Sequence, residues 1–129
     1  MQKGDTKIST KQTWPPVALV TFAAIAQRLC AFGVMAFEMK AGKPGRILKN
    51  EPTINVAEKQ KASAAGWTDQ WDVFARLCID YCPFGIVSHI GMQAGEPIGK
   101  VKFEPEIDPS KPTSIPKKML TEFDLLKKA

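Results

Sequence analysis

Between Val17 and Phe37 the chain reads VALVTFAAIAQRLCAFGVMAF, 21 residues with one charge, Arg28, and few polar side chains. Apolar positions fall on nearly every side of a helical wheel. At about 1.5 Å of rise per residue such a helix is roughly 31 Å long, close to the roughly 30 Å hydrocarbon core of a bilayer. The pattern therefore predicts one transmembrane helix over 17–37. Trp14 ahead of it suits a membrane edge, and Pro15 and Pro16 suit a helix start, where a missing N–H costs nothing. A helix apolar all round needs cover all round. The rest of the chain offers too little, so lipid or other subunits are expected to supply it.

Spacing of three and four places Thr21, Ala24, Gln27, Arg28 and Ala31 along one stripe. Small and polar residues in a stripe predict a contact with another helix or an anionic lipid. An arginine near mid-membrane costs roughly 2.5 to 3.5 kcal/mol on insertion scales, so Arg28 is expected to meet a partner.

Around this run the chain divides into flanks. Residues 1–16 form a polar arm spaced by Lys3, Lys7 and Lys11. Residues 38–66 form a basic, Gly- and Pro-broken connector whose Lys40, Lys43, Arg46 and Lys49 lean the C-terminal side toward a matrix or stromal face; its VAEKQKASAA stretch permits a short polar helix. Within 67–92, Thr68 reads as an N-cap, with Asp69 and Asp72 in the first turn. Trp67, Trp71, Phe74, Cys78, Tyr81 and Cys82 then recur at helical spacing until Pro83 stops the helix. This amphipathic helix is expected to dock on a neighbouring subunit through Trp67, Trp71, Phe74 and Tyr81. The run FGIVSHIG after it is too short to span and reads as a strand or a re-entrant turn. Residues 93–129, with five prolines between Pro97 and Pro116, predict an extended strap, closed by a short terminal helix carrying Met119, Leu120, Phe123, Leu125 and Leu126.

Composition changes this picture little. A hydrophobic content of 44% and a charged content of 24% over 129 residues describe a folded chain of one-domain size rather than a disordered one. The net charge of +5 is nearly all lysine, with arginine only at 28, 46 and 76. Bidentate readers of bases and phosphates favour arginine, so nucleic acid is not expected as a partner. Three cysteines make an odd count without framework spacing, which excludes a disulfide-stapled scaffold and favours a reducing side. The apolar run is too long for a signal peptide and lacks a cleavage site after it.

Two side-chain sets could carry chemistry. Cys78 and Cys82 lie one helical turn apart, with His89 seven residues on, a set soft enough for zinc but short of the usual four ligands; burial as small core residues is the plainer expectation. His89 or Gln27 could hold a haem or pigment metal, without any supporting pattern. There is no phosphate loop, nucleophile motif, twin Cys-x9-Cys pair or light-harvesting Glu-x-x-His/Asn-x-Arg motif. No cofactor and no small-molecule substrate are expected.

Together these features predict a mostly α chain: one N-terminal transmembrane helix, one amphipathic helix and an extended Pro-rich C-terminal segment with a short terminal helix. The function expected is that of a non-catalytic accessory subunit of an energy-transducing membrane complex. A respiratory complex of the mitochondrial inner membrane comes first and a thylakoid photosynthetic complex second, by analogy with their single-span subunits. A soluble Cys/His metal or redox module and a basic ribosomal-type RNA-binding protein are the alternatives of other classes.

Overall fold

The computed structural model describes residues 14–53 and 66–125. Most of the N-terminal arm, the proposed helix over 56–65 and the last four residues of the proposed terminal helix lie outside them. The 21-residue apolar run is not one helix. Helix α1 covers Val17–Leu29 and closes at Cys30. The chain then turns and continues as strand β1, Gly33–Lys40. Gly33 carries φ +143°, and a Cβ there would meet the Glu51 carbonyl oxygen at 2.2 Å. Only glycine reaches that conformation without strain.

Among the described residues no helix is long and apolar enough to cross a membrane. The expected mostly α fold with a transmembrane helix over 17–37 is therefore corrected to a mostly β fold, a six-stranded antiparallel sheet with two helices. Placement in an organellar membrane, mitochondrial or thylakoid, rested on that span and falls with it.

After β1 come β2 (Lys43–Pro52), α2 (Asp69–Tyr81), β3 (Gly85–Gln93), β4 (Glu96–Ile98), β5 (Lys100–Pro105), a 3₁₀ turn (Pro112–Ser114) and β6 (Glu122–Asp124). The sheet order is β2-β1-β3-β5-β6, with β4 also paired to β3. Much of the basic connector is thus an edge strand, and FGIVSHIG lies in a central one. The proline-rich tail contributes strands to this sheet. Pro97 stands opposite Met92 in short β4, and Pro105 closes β5 opposite Gly85; at such strand ends a missing donor is tolerated. The expected terminal helix is extended at β6, where Val101 faces Phe123 between the pairs Lys100–Asp124 and Lys102–Glu122. Helical spacing and strand alternation are both short patterns here, and an available strand partner decides between them.

The fold is a duplication. Cys30-Ala-Phe-Gly33 recurs as Cys82-Pro-Phe-Gly85, Ala41-Gly-Lys-Pro44 as Ala94-Gly-Glu-Pro97, and Lys49-Asn-Glu-Pro52 as Lys102-Phe-Glu-Pro105. The offset is 52 residues up to Ser88 and 53 after the extra residue His89. The backbone repeats with the letters. Cys30 and Cys82 close their helices with φ −151° and −150°. The Cys30 thiol reaches the Phe32 carbonyl at 3.6 Å, and the Cys82 thiol the Phe84 carbonyl at 3.7 Å. Each hairpin turn donates into the other half: Gly42 N–H to the Pro83 carbonyl and Gly95 N–H to the Ala31 carbonyl, both at 2.9 Å. Strands β1 and β3 pair about the pseudo-twofold, Gly33 facing Met92 and Met39 facing Gly85.

Both helices cover one face of the sheet. Phe22 of α1 lies 4.3 Å from the Phe37 ring of β1, and Phe74 of α2 lies 6.1 Å from the same ring. Trp71 closes the cluster against Phe22 and Phe74, and its indole N–H donates to the Gly95 carbonyl at 2.9 Å. Met35, Met39, Val87, Ile90, Val101 and Phe103 fill the sheet side of this core.

Candidate partner-binding surface

The two halves share a plan but differ in what covers them. In the second half, β6 pairs with the outer edge of β5. The Leu125 N–H donates to the Gly99 carbonyl and the Phe103 N–H to the Thr121 carbonyl, both at 2.7 Å. Leu77 and Tyr81 of α2, Val101 and Phe103 of β5, and Phe123 and Leu125 then belong to one core cluster, with Tyr81 and Phe103 at a ring separation of 5.7 Å. Val101 is fully buried and Leu125 is 1% exposed.

In the first half the residues at the matching offsets are Ile25, Leu29, Leu48 and Asn50. Ile25 is 42% exposed, and Leu29 and Leu48 are each 44% exposed. Among the described residues β2 pairs only with β1, so no β6 counterpart lies on its outer edge. The two halves differ in register here: a bulge sets Ile47 opposite Phe37 and against the core and leaves Leu48 outside it, whereas in β5 Val101 is the buried residue and Lys100 the exposed one. β2 is also basic. Arg46 sits 3.4 Å from Glu38 of β1, and Lys49 lies 3.6 Å from Glu51, the same pairing that Lys102 makes with Glu104 at 3.9 Å. Such exposed pairs are worth little and leave Lys43, Arg46 and Lys49 against one carboxylate within the strand.

A concavity lies at the far end of α2. A cleft of about 320 Å³ opens between the β1–β2 turn and the helix end, lined by Gly42, Ile79, Pro83, Phe84, Ile115 and Lys117. Next to it the Trp14 indole and the Trp67 indole both donate to Asp72, Arg76 pairs with Asp72 at 2.9 Å, and the Arg76 guanidinium stands 4.2 Å over the Trp14 ring. The Trp14 hydrogen bond, then Arg76 and Trp67, hold the Asp72 carboxyl below its ordinary pKa. The members of this network satisfy one another and tie the segment before α1 to α2.

The residues singled out by sequence are distributed as follows. Thr21, Ala24 and Arg28 are exposed on the outer side of α1, and Ala31 is half-buried in the turn after it. Gln27 exchanges two hydrogen bonds with the backbone of Gly66. Trp71 and Phe74 are buried in the chain's own core, with Trp67 and Tyr81 half-buried beside them. Cys30, Cys78 and Cys82 are free, buried thiols. Burial raises all three pKa values, that of Cys82 to about 11 and that of Cys78 well above the ordinary thiol range; thiols held protonated are poor nucleophiles and ligands. His89 is exposed at the pseudo-twofold bulge with φ +58°, its Nδ1 3.0 Å from the Ser88 hydroxyl, and does not join the cysteines. Among the described residues no group of three or more His, Cys, Asp or Glu is placed to hold a metal ion.

Ile25, Leu29 and Leu48 drew no attention as sequence, since an isolated apolar residue on a surface is ordinary. The signal that finds them is the Cys-x-Phe-Gly repeat, which aligns each with a covered counterpart. No protein-family model, curated protein or solved structure matches this chain.

Proposed function

We propose that this chain is a non-catalytic accessory subunit that works by holding a partner against its first half. The observation that carries the reading is the unequal cover of two duplicated halves. Leu77 and Tyr81, half-buried against the core beside Phe123 and Leu125 on the second half, correspond on the first to Ile25 and Leu29, 42% and 44% exposed, and Leu48 of β2 is 44% exposed as well. Keeping Ile25 and Leu29 partly in water at places whose counterparts are covered is explained by a surface that another chain completes. The buried, protonated thiols and the self-satisfied Asp72 network support a binding role over a chemical one.

The test is site-directed crosslinking in the native cell. A photoreactive residue in place of Leu29 or Leu48 is expected to give one discrete adduct. The same residue in place of Ile107, exposed but outside this surface, is expected to give none. Absence of an adduct at both Leu29 and Leu48, or equal labelling at all three positions, refutes the reading.

A further inference from the structure

We infer that the cleft at the end of α2, with the concavity beside it, binds a free α-amino acid that has a large apolar side chain. The cleft is walled by half-buried Ile79, Pro83 and Phe84, by the Ala41-Gly42 turn and by Ile115, which is 52% exposed. Two backbone hydrogen bonds fix these walls: the Gly42 N–H donates to the Pro83 carbonyl at 2.9 Å, and the Lys118 N–H to the Asp80 carbonyl at 3.1 Å. The volume of about 320 Å³ stands at the low end of the roughly 300–1,000 Å³ of small-molecule sites. That suits a ligand with one apolar group.

Ile79 and Lys117 line both this cleft and a polar concavity of about 270 Å³, whose other walls are Trp14, Arg76 and Asp80. Arg76 is already held by Asp72 and Trp14. Among the described residues Asp80 and Lys117 take part in no ion pair, so one carboxylate and one ammonium stand beside the apolar cleft. Asp80 is also placed against the stability of its own helix. The C-terminal end of a helix carries partial negative charge and favours cations. α1 follows this rule with Arg28 in its last turn, whereas the same place of the repeat in α2 is Asp80, and the last turn of α2 holds no basic residue. Local rules of this kind are broken chiefly at functional sites. A ligand ammonium at Asp80 supplies the missing cation, the ligand carboxylate meets Lys117, and the side chain enters the cleft against Ile79, Pro83 and Phe84. Both charges belong to one α-carbon, so a residue inside a peptide lacks these contacts.

The experiment titrates the full chain, ¹⁵N-labelled, with L-phenylalanine. Saturable amide shifts are expected at Gly42, Ile79, Asp80, Phe84 and Lys117. N-acetyl-L-phenylalanine, which lacks the ammonium, and phenethylamine, which lacks the carboxylate, should each bind about tenfold more weakly or worse, the effect of losing one charge-assisted hydrogen bond. Asp80→Asn should weaken L-phenylalanine about tenfold and leave N-acetyl-L-phenylalanine unchanged, while Lys117→Gln should weaken L-phenylalanine as much and leave phenethylamine unchanged. Without ligand, Asp80→Asn should keep or raise Tm, because it removes an anion from a helix C-terminus. The inference is overturned by the absence of saturable shifts at millimolar L-phenylalanine, by shifts confined to other residues, or by equal binding of all these compounds. A lower Tm for ligand-free Asp80→Asn overturns it too, since Asp80 would then be paired within the chain. The crosslinks at Leu29 and Leu48 report on residues outside this cleft and decide the accessory role separately.

Discussion

The duplication permits a measurement in which each half is the control for the other. Val101 and Leu48 occupy matching places in the sequence repeat, but the bulge in β2 turns Ile47 to the core in its stead, so one is fully buried and the other 44% exposed. Val101→Ala deletes two methyl groups, about 1.6 kcal/mol of transfer free energy at ~0.8 kcal/mol per carbon. With the cavity left behind, the expected loss is about 2 to 3 kcal/mol. Leu48→Ala deletes three carbons, about 2.4 kcal/mol if all were buried, but close to half of that side chain is already in water. Its open side leaves no cavity, so the expected loss is about 1 kcal/mol. The larger deletion therefore costs less. Urea unfolding of the two full-length variants reads the difference as a shift in midpoint at constant slope. If Leu48→Ala costs as much as Val101→Ala, Leu48 is already covered within the chain, and the argument from unequal cover fails.

Two further predictions concern the shared plan. Gly33→Ala and Gly85→Ala each place a Cβ 2.2 Å from a carbonyl oxygen of the neighbouring strand at φ near +140°, so both should lose more than about 3 kcal/mol, seen as large and similar falls in Tm; a wild-type Tm for either variant contradicts the turn geometry. Cys82 has a folded pKa raised to about 11 by burial, so its contribution is complete below the ordinary thiol pKa and is lost as pH rises from there through about 11. The unfolding midpoint should fall across that alkaline window more steeply for the wild type than for Cys82→Ala, and parallel profiles would show that Cys82 is not protected by the fold.

Local signals in the sequence were sufficient for α2. The Thr68 hydroxyl accepts from the Trp71 N–H at 3.3 Å, the Trp71, Phe74 and Cys78 stripe faces the core, and the helix ends before Pro83. A cap, a period and a stop are properties of a dozen contiguous residues, and they need no knowledge of the rest of the chain. The start of α1 after Pro16 was legible for the same reason.

The apolar run after it was not legible, because hydropathy records that residues avoid water without recording what shields them. Thirteen residues of a helix and the first five of a central strand, both shielded by the chain itself, give the same letters as a membrane span. The break is Gly33, and its φ of +143° is required only because Glu51 and Pro52 of β2 lie against it. That strand, KPGRILKNEP, is polar at the sheet edge and reads as a loop. It pairs through the Ala41-Gly42 hairpin turn with β1, a strand concealed inside the apolar run, and two bulges remove the alternation that would mark it. The repeat that would have announced two αββ halves is written in a few letters and thrown off a fixed period by the single insertion at His89. The candidate surface was the least legible feature of all: Ile25, Leu29 and Leu48 become unusual only when the tertiary structure shows Leu77 and Tyr81 half-buried and Val101 buried at the matching places, since exposure is set by what lies alongside and not by the side chain itself.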